Sequence, residues 1–283
     1  MIKETKLTDQ SPLIVTGSRT PFMRSFKNYS ELSTFDLGRL ALTGLRAKLS
    51  FDPKEVDSLI YGTVAHDPSK PNIARECLLG AGFSERTPAY TLSMACISSN
   101  IAATNMAQEI LQGRSELGII GGVDSCSDPA IRVSRGLRKI LVKMSRVRGG
   151  FLNYLRVLKA FQMKDLIPDA PRIVEFSNGK SMGHGAELLA QSVGISRSDS
   201  DAFAKRSHLG AVKGIKEGFF NEMVTSVSLP PKFKTFSHDD GPREDTSDSS
   251  LAKLSMYYEL RFMSKVHLPP FFYGKIQRNE LLT

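Results

Sequence analysis

Three cysteines, Cys77, Cys96 and Cys126, supply the thiols of this 283-residue chain, and Cys96 stands apart by its setting. The segment Met94-Ala95-Cys96-Ile97-Ser98-Ser99-Asn100 joins an extended apolar run to a helical pattern, so Cys96 falls where a strand hands over to a helix. The first N–H groups of a helix have no intrahelical partner, and the helix dipole is positive there, which favours an anion. The thiolate is the nucleophilic form of cysteine, and electropositive surroundings promote it. The same N–H groups are suited to an oxyanion formed on a substrate carbonyl. Ala95, Ser98, Ser99 and Ala102 are small, leaving room for a ligand and for a second backbone. The competing reading of Cys96 is a buried free thiol acting as a small hydrophobe. Position by itself leaves both open.

Other chemistries find less support. The cysteines are odd in number, widely spaced and without a CxxC pair, which argues against a disulfide framework or a zinc knuckle and predicts no metal site. A reducing compartment is expected, cytoplasmic or an organelle matrix. His66, His208, His238 and His267 show no ligand spacing. Gly121-Gly122 lacks a GxGxxG context, so no dinucleotide site is expected.

The elements that must position Cys96 alternate between strand and helix. Leu13 to Thr16 is an apolar run ended by Gly17 and reads as a buried strand. Ser33 is placed to cap a helix carrying Leu37, Leu40, Ala41, Gly44 and Leu45 on one face. Leu59-Ile60-Tyr61 reads as a strand, Asn72 to Gly80 as a helix, Ala89 to Met94 as extended, and Ile97 to Gln112 as a helix closed by Gly113. Leu117 to Ile120 reads as a strand before a tight Gly121-Gly122 turn. Helices are expected from near Met182 and after Ser198, with Ser198 and Asp201 as a capping box, and Met223 to Leu229 as extended. This rhythm predicts an α/β layered fold with a mostly parallel sheet.

The 41% apolar and 24% charged residues are globular proportions, and no run of about eighteen apolar residues is present. The polar N-terminus, Met1 to Lys6 and onward, predicts no secretory signal. The net charge of +9 is local. Between Pro129 and Lys164 there are ten basic residues and no acidic one, and the rest of the chain holds 28 basic against 29 acidic residues. Ile140, Leu141, Met144, Val147, Phe151, Leu155 and Leu158 recur there at steps of three and four, a basic amphipathic pattern suited to an anionic membrane surface or a partner groove. Thin aromatic interleaving argues against nucleic acid. The stretch from Ser255 has no useful period and is left irregular.

The motifs together resemble the thiolases. Arg19-Thr20-Pro21-Phe22, Asn72-Ile73-Ala74-Arg75, Pro88-Ala89, the helix-start Cys96, Gly121-Gly122-Val123-Asp124-Ser125 and Met182-Gly183-His184-Gly185-Ala186-Glu187 follow the order and spacing of that family over residues 13 to 254. Met94-Ala95-Cys96-Ile97-Ser98, the basic insertion and the MGH sequence are similar to the β-subunits of the trifunctional complex of fatty-acid β-oxidation. The resemblance implies a thiolase-like layered fold and an acetyl-CoA C-acyltransferase. Such an enzyme cleaves 3-ketoacyl-CoA with free CoA through a cysteine thioester, with Cys96 as the matching nucleophile. CoA is then a substrate, with no permanently bound cofactor. The resemblance also implies CoA or acyl contacts at Arg243, Met182 and His184. The partners it implies are acyl-CoA, a second copy of the chain or a β-oxidation subunit, and an anionic membrane surface through residues 131–164. It divides the chain into 1–126 and 176–254 as the N-terminal α/β domain, 127–175 as a basic helical insertion, and 255–283 as an irregular tail.

The departures are as informative. The family's second half supplies a histidine in a GHP motif and a cysteine in a CxG motif, and neither motif occurs here. After Leu254 the chain leaves the family pattern, which predicts a thiolase N-terminal half with the C-terminal half missing. Two alternatives to a thiolase follow, a non-catalytic remnant acting as an interaction protein and a ketoacyl synthase. The RTPF and MGxxAE pieces favour thiolase over synthase.

Overall fold

The computed structural model describes residues 11–147, 153, 159, 161–168, 174–229 and 231–254. The described residues form two compact units, one within 11–130 and 208–244, the other within 131–207 and 245–254.

The first unit is built on a parallel three-stranded sheet in the order β2-β1-β3, with β1 at Ser58–Gly62, β2 at Ala89–Leu92 and β3 at Gly118–Gly122. Every residue of β1 is buried. Side chains alternate across a strand, so the two faces of β1 serve two layers. Leu59 and Tyr61 pack with Leu42 of α1 (Thr34–Arg46) and with Ile73, Ala74, Cys77 and Leu78 of α2 (Ile73–Gly80). Ile60 packs on the opposite side with Ala102 and Met106 of α3 (Ser98–Leu111). A helix–sheet–helix sandwich follows from one fully buried five-residue strand, and the α/β layered architecture is as expected.

Helix boundaries follow local hydrogen bonding. Ser33 and Asp36 form a reciprocal capping box on α1, with Asp36 N–H donating to the Ser33 hydroxyl at 3.2 Å and Ser33 N–H to the Asp36 carboxylate at 3.0 Å. Asn72 caps α2, accepting from Arg75 N–H at 3.3 Å.

Three local expectations are corrected. Leu13 to Thr16 is not a strand, and Leu13, Ile14 and Val15 are exposed. The main chain in this region first pairs at Arg19, which donates to Met223 O and accepts from Thr225 N–H, both at 2.9 Å, so the apolar run upstream of it joins no ladder. Gly121-Gly122 is not a turn after β3 but its last two residues, level with Tyr61 and Gly62. The capping box before α6 is Ser196 with Asp199, two residues earlier than Ser198 with Asp201. Asp199 N–H donates to the Ser196 hydroxyl at 3.1 Å, and Ser196 N–H to the Asp199 carboxylate at 2.9 Å.

The extended stretch after Met223 narrows to β4 (Val227–Leu229), which pairs antiparallel with β5 (Lys234–Phe236). Val227 is buried with Leu37, and Phe236 meets Tyr29 edge-on at 5.9 Å between ring centroids. Arg19, the first residue of the RTPF motif, staples this hairpin region to the N-terminal loop. Its guanidinium donates to both oxygens of Asp239, at 2.7 and 2.9 Å, and lies 4.7 Å from the Phe22 ring centroid. Asp239 also accepts from Phe22 N–H at 2.8 Å, and Asp240 from Arg24 N–H at 2.7 Å.

The second unit contains α4 (Arg135–Ser145), a 3-10 turn at Met163–Leu166, α5 (Met182–Val193), the first part of α6 (Arg197–Lys216) and α7 (Asp248–Ala252). Ser134 caps α4 and donates to Asp165 O at 2.7 Å. Arg197 pairs with Asp201 at 2.9 Å and donates to Leu251 O at 2.9 Å, tying α6 to α7. Neither α5 nor α6 has a buried residue, and Leu189, Val193 and Phe203 are exposed. Among the described residues no helix is long and apolar enough to cross a membrane.

The Arg19–Asp239 pair makes a pH prediction. Burial disfavours the Asp239 carboxylate, but the hydrogen bonds from Arg19 and Phe22 and the charges of Arg19 and His238 outweigh it and hold the carboxyl below its usual range. A depressed folded-state value contributes stability that is present above the unfolded carboxylate range and is lost as pH falls. Replacing Asp239 by Asn therefore costs about 1–2 kcal/mol at pH 7, the scale of a charged hydrogen bond. The gap between the two proteins narrows as the pH falls below the unfolded carboxylate value of about 3.9 and closes only below the lowered folded-state value. Urea unfolding of both across that range is the measurement, and a gap that stays constant would contradict the assignment.

Candidate functional site

Cys96 lies on the turn between β2 and α3 and is exposed. The residue before it, Ala95, has φ +48°, a left-handed conformation that L residues with a Cβ enter at a cost. Ser98, only 5% exposed, closes the turn from inside. Its hydroxyl accepts from Met94 N–H at 2.8 Å and donates to Ala95 O at 2.7 Å. No side chain caps α3, because the N-cap position is Ile97. A 14-residue helix thus opens two residues after Cys96 with no side-chain cap on its N–H groups.

That turn rests directly on the ends of two strands. A Cβ on Gly62, the last residue of β1, would sit 2.6 Å from Ser98 Cβ and 2.9 Å from the main chain of Ser98 and Ser99. A Cβ on Gly122, the last residue of β3, would sit 2.5 Å from the Ser99 hydroxyl. The small residues after Cys96 therefore admit a second backbone, that of β1. The loop after β1 is clamped in turn by Asp124. Its carboxylate accepts from Val64 N–H at 3.0 Å, Ala65 N–H at 2.8 Å and the Thr63 hydroxyl at 3.1 Å.

The Asn72-Ile73-Ala74-Arg75 motif braces the strand that delivers Cys96. The Asn72 amide donates to Ala89 O at 2.9 Å and its carbonyl accepts from the Thr91 hydroxyl at 3.0 Å, while Ala74 N–H donates to that hydroxyl at 3.1 Å. Arg75 donates to Thr87 O at 2.8 Å and Glu85 O at 2.6 Å, fixing the approach to β2.

The other thiols differ. Cys77 is fully buried in the core against α1, and burial first, then the charge of Glu76, pushes its thiol up to about 12, so it is the inert hydrophobe among the three. Cys126 is exposed and lines a void of about 1230 Å³ beside β3, together with residues 11–23. Cys96 does not line that void.

The remaining sequence candidates are placed as follows. Arg243 is exposed in the first unit, and its N–H donates to His208 Nδ1 at 3.2 Å. Met182 and His184 belong to the second unit, in the first turn of α5. Met182 is exposed, and His184 N–H donates to Ser181, the cap of that helix. Ser98, Gly62 and Gly122 have the most direct hold on the Cys96 turn, and Asn72 holds the strand that leads into it. Asn72 and Gly122 were marked in the sequence by their motifs and Ser98 by its small size, but the contacts of all three depend on a packing that sequence does not display. Among the described residues no three metal-ligating side chains converge.

Known proteins share this arrangement. The family described as "Thiolase, N-terminal domain" matches residues 13–260. A 3-ketoacyl-CoA thiolase of Shewanella sediminis is 38% identical over 241 residues, 85% of this chain and 55% of the relative. One from Serratia proteamaculans is 38% identical over 246 residues, 87% and 56%. The crystal structure of the Bacillus anthracis acetyl-CoA acetyltransferase superposes with a TM-score of 0.67 at 25% identity, covering 84% of this chain and 57% of that one. The chain spans about half the length of the relatives it matches, in keeping with a thiolase N-terminal half. A parallel sheet sandwiched by helices, a cysteine presented at a helix start and a family match over most of the sequence lead to one conclusion, that this chain belongs to the thiolase family.

Proposed function

We propose that the chain carries the acyl-accepting half of a 3-ketoacyl-CoA thiolase, with Cys96 as nucleophile, in fatty-acid β-oxidation. The observation that carries this reading is the exposed Cys96 thiol on a strained turn at the uncapped start of α3. The Cys96 thiolate attacks the 3-keto carbonyl. The C2–C3 bond then breaks, its electron pair leaves with the acetyl-CoA fragment, which takes up a proton, and a shortened acyl group remains on sulfur. Free CoA next takes the acyl group and returns the thiolate. Arg243, Met182 and His184 are proposed contacts for CoA and the acyl chain. Residues 127–175 are proposed as an insertion in an N-terminal domain of 1–126 and 176–254. The setting proposed is the cytoplasm or a mitochondrial matrix.

Neither a GHP nor a CxG motif occurs in these 283 residues, so the polypeptide by itself is proposed to accept an acyl group without sustained turnover. Losing coupled catalytic groups costs many powers of ten in rate. Incubation with acetoacetyl-CoA followed by peptide mass spectrometry is expected to find acetyl on Cys96, none on Cys126, and CoA-dependent cleavage no faster than without protein. Acetyl spread equally over both exposed cysteines would refute the nucleophile. Sustained thiolysis would refute the need for the absent motifs.

The basic insertion is proposed to meet an anionic membrane surface. On α4, Lys139, Leu141, Val142 and Lys143 are exposed, whereas Ile140 is buried. Part of the apolar stripe is thus used within the unit, and Phe151 and Leu155 lie outside the described residues. Basic residues near an anionic surface contribute about 1 kcal/mol each, screened by salt over a Debye length of about 8 Å. The protein should co-sediment with cardiolipin-containing vesicles and not with neutral ones, and charge reversal at Arg138, Lys139 and Lys143 should abolish this. Equal binding to both vesicles, or no dependence on salt, would mean a solvated face.

A further inference from the structure

Ser98 takes no part in the chemistry proposed above, yet it lies at the centre of the turn that presents Cys96. Its hydroxyl spans the two peptide groups that flank Ala95, accepting from Met94 N–H at 2.8 Å on one side and donating to Ala95 O at 2.7 Å on the other. Ala95 is the residue held at φ +48°. A serine in the first turn of a helix commonly spends its hydroxyl on a cap or a neighbouring carbonyl of that helix. Here the hydroxyl points back into the preceding turn, and α3 is left with no side-chain cap. The Ser98 side chain is buried and abuts the end of β1, where a Cβ on residue 62 would stand 2.6 Å from Ser98 Cβ. The space is therefore fitted to a serine facing a glycine.

Without the hydroxyl, the left-handed Ala95 is held only by two longer main-chain bonds, from Ile97 N–H to Met94 O at 3.3 Å and from Ser98 N–H to Ala95 O at 3.2 Å, and the two shortest bonds of the turn are lost. Residue 95 would then relax toward an ordinary backbone conformation. Such a rotation moves the next residue, Cys96, away from the open end of α3. The Asn72 brace and the Asp124 clamp hold β2 and the loop after β1, and neither touches the turn itself. We propose that Ser98 is a positioning residue for Cys96, its hydroxyl locking the Ala95 turn so that the thiol stays against the first N–H groups of α3. This rests on the reading of Cys96 as the nucleophile.

The test compares iodoacetate with iodoacetamide on the full 283-residue chain, read separately at each cysteine by peptide mass spectrometry. The ratio of the two rates reports the local field, because only iodoacetate is an anion drawn to a helix N-terminus. The wild-type ratio should be higher at Cys96 than at Cys126. In Ser98→Ala it should fall about fivefold at Cys96, the scale of a helix-terminus charge interaction, and stay unchanged at Cys126. Cys77 should remain unmodified, which shows that the core is intact. Adding Ala95→Gly should restore much of the ratio, since glycine takes a positive φ without strain. A serine that served stability alone would lower the unfolding midpoint and leave the ratio untouched. A folded Ser98→Ala protein with the wild-type ratio overturns the proposal and spares the nucleophile reading, whereas a wild-type Cys96 ratio equal to that of Cys126 defeats both. Where Ser98→Ala alone exposes Cys77, the folded double variant decides, and a Cys96 ratio in it no higher than that of Cys126 overturns the proposal.

Discussion

The constraint on which this structure depends is the close approach of α3 to the ends of β1 and β3. A helix can begin directly above a parallel sheet only where the strand ends carry no side chain in its way. Gly62 and Gly122 meet that condition, since a Cβ on either would come within 3 Å of Ser98 or Ser99. Because α3 starts there, the chain between β2 and α3 has only Ser93 to Ile97 in which to turn, and it does so through a left-handed Ala95. Cys96 is exposed as a consequence of that geometry. The hydrophobic alternation of β1 supplies the force behind it, with Leu59 and Tyr61 gripping one helical layer and Ile60 gripping the other.

The family motifs gain physical roles from this arrangement. The RTPF arginine is a staple, joined to Asp239 and to the main chain of residues 223 and 225, so that the N-terminal loop and the β4–β5 hairpin region form one body. The NxAR asparagine and arginine are braces that fix β2 through main-chain carbonyls. The acidic residue after Gly121-Gly122, here Asp124, holds the loop that leaves β1. The NxAR pair and Asp124 thereby fix elements that bound the Cys96 turn, whereas Arg19 fixes the N-terminal loop and the hairpin region.

Much of this was legible in the sequence. The apolar run at Leu59 to Tyr61, the capping serine at Ser33, the asparagine before α2 and the glycine-closed helix ending near Gln112 were all readable from local chemistry. The cysteine at the strand–helix junction was readable for the same reason. What escaped depends on contacts between segments distant in the chain. Leu13 to Thr16 has the composition of a strand, but a strand needs a partner, and the pairing available begins at Arg19. Gly121-Gly122 has the composition of a turn, but parallel pairing with Tyr61 and Gly62 carries the strand through it. The capping box before α6 contains two serines within reach of two aspartates, and the register was set by which pair bonds reciprocally. Ser98 is one small residue among several, and only the position of Gly62 and the conformation of Ala95 single it out.

Residue-resolved amide hydrogen exchange of the native protein tests the central claim most directly, that a buried serine and two strand-end glycines hold the Cys96 turn closed. Met94 N–H is donated to the buried Ser98 hydroxyl and should exchange slowly, in the same range as the buried amides of β1. Exchange of the Met94 amide at the rate of an unprotected peptide, with β1 still protected, would contradict the account.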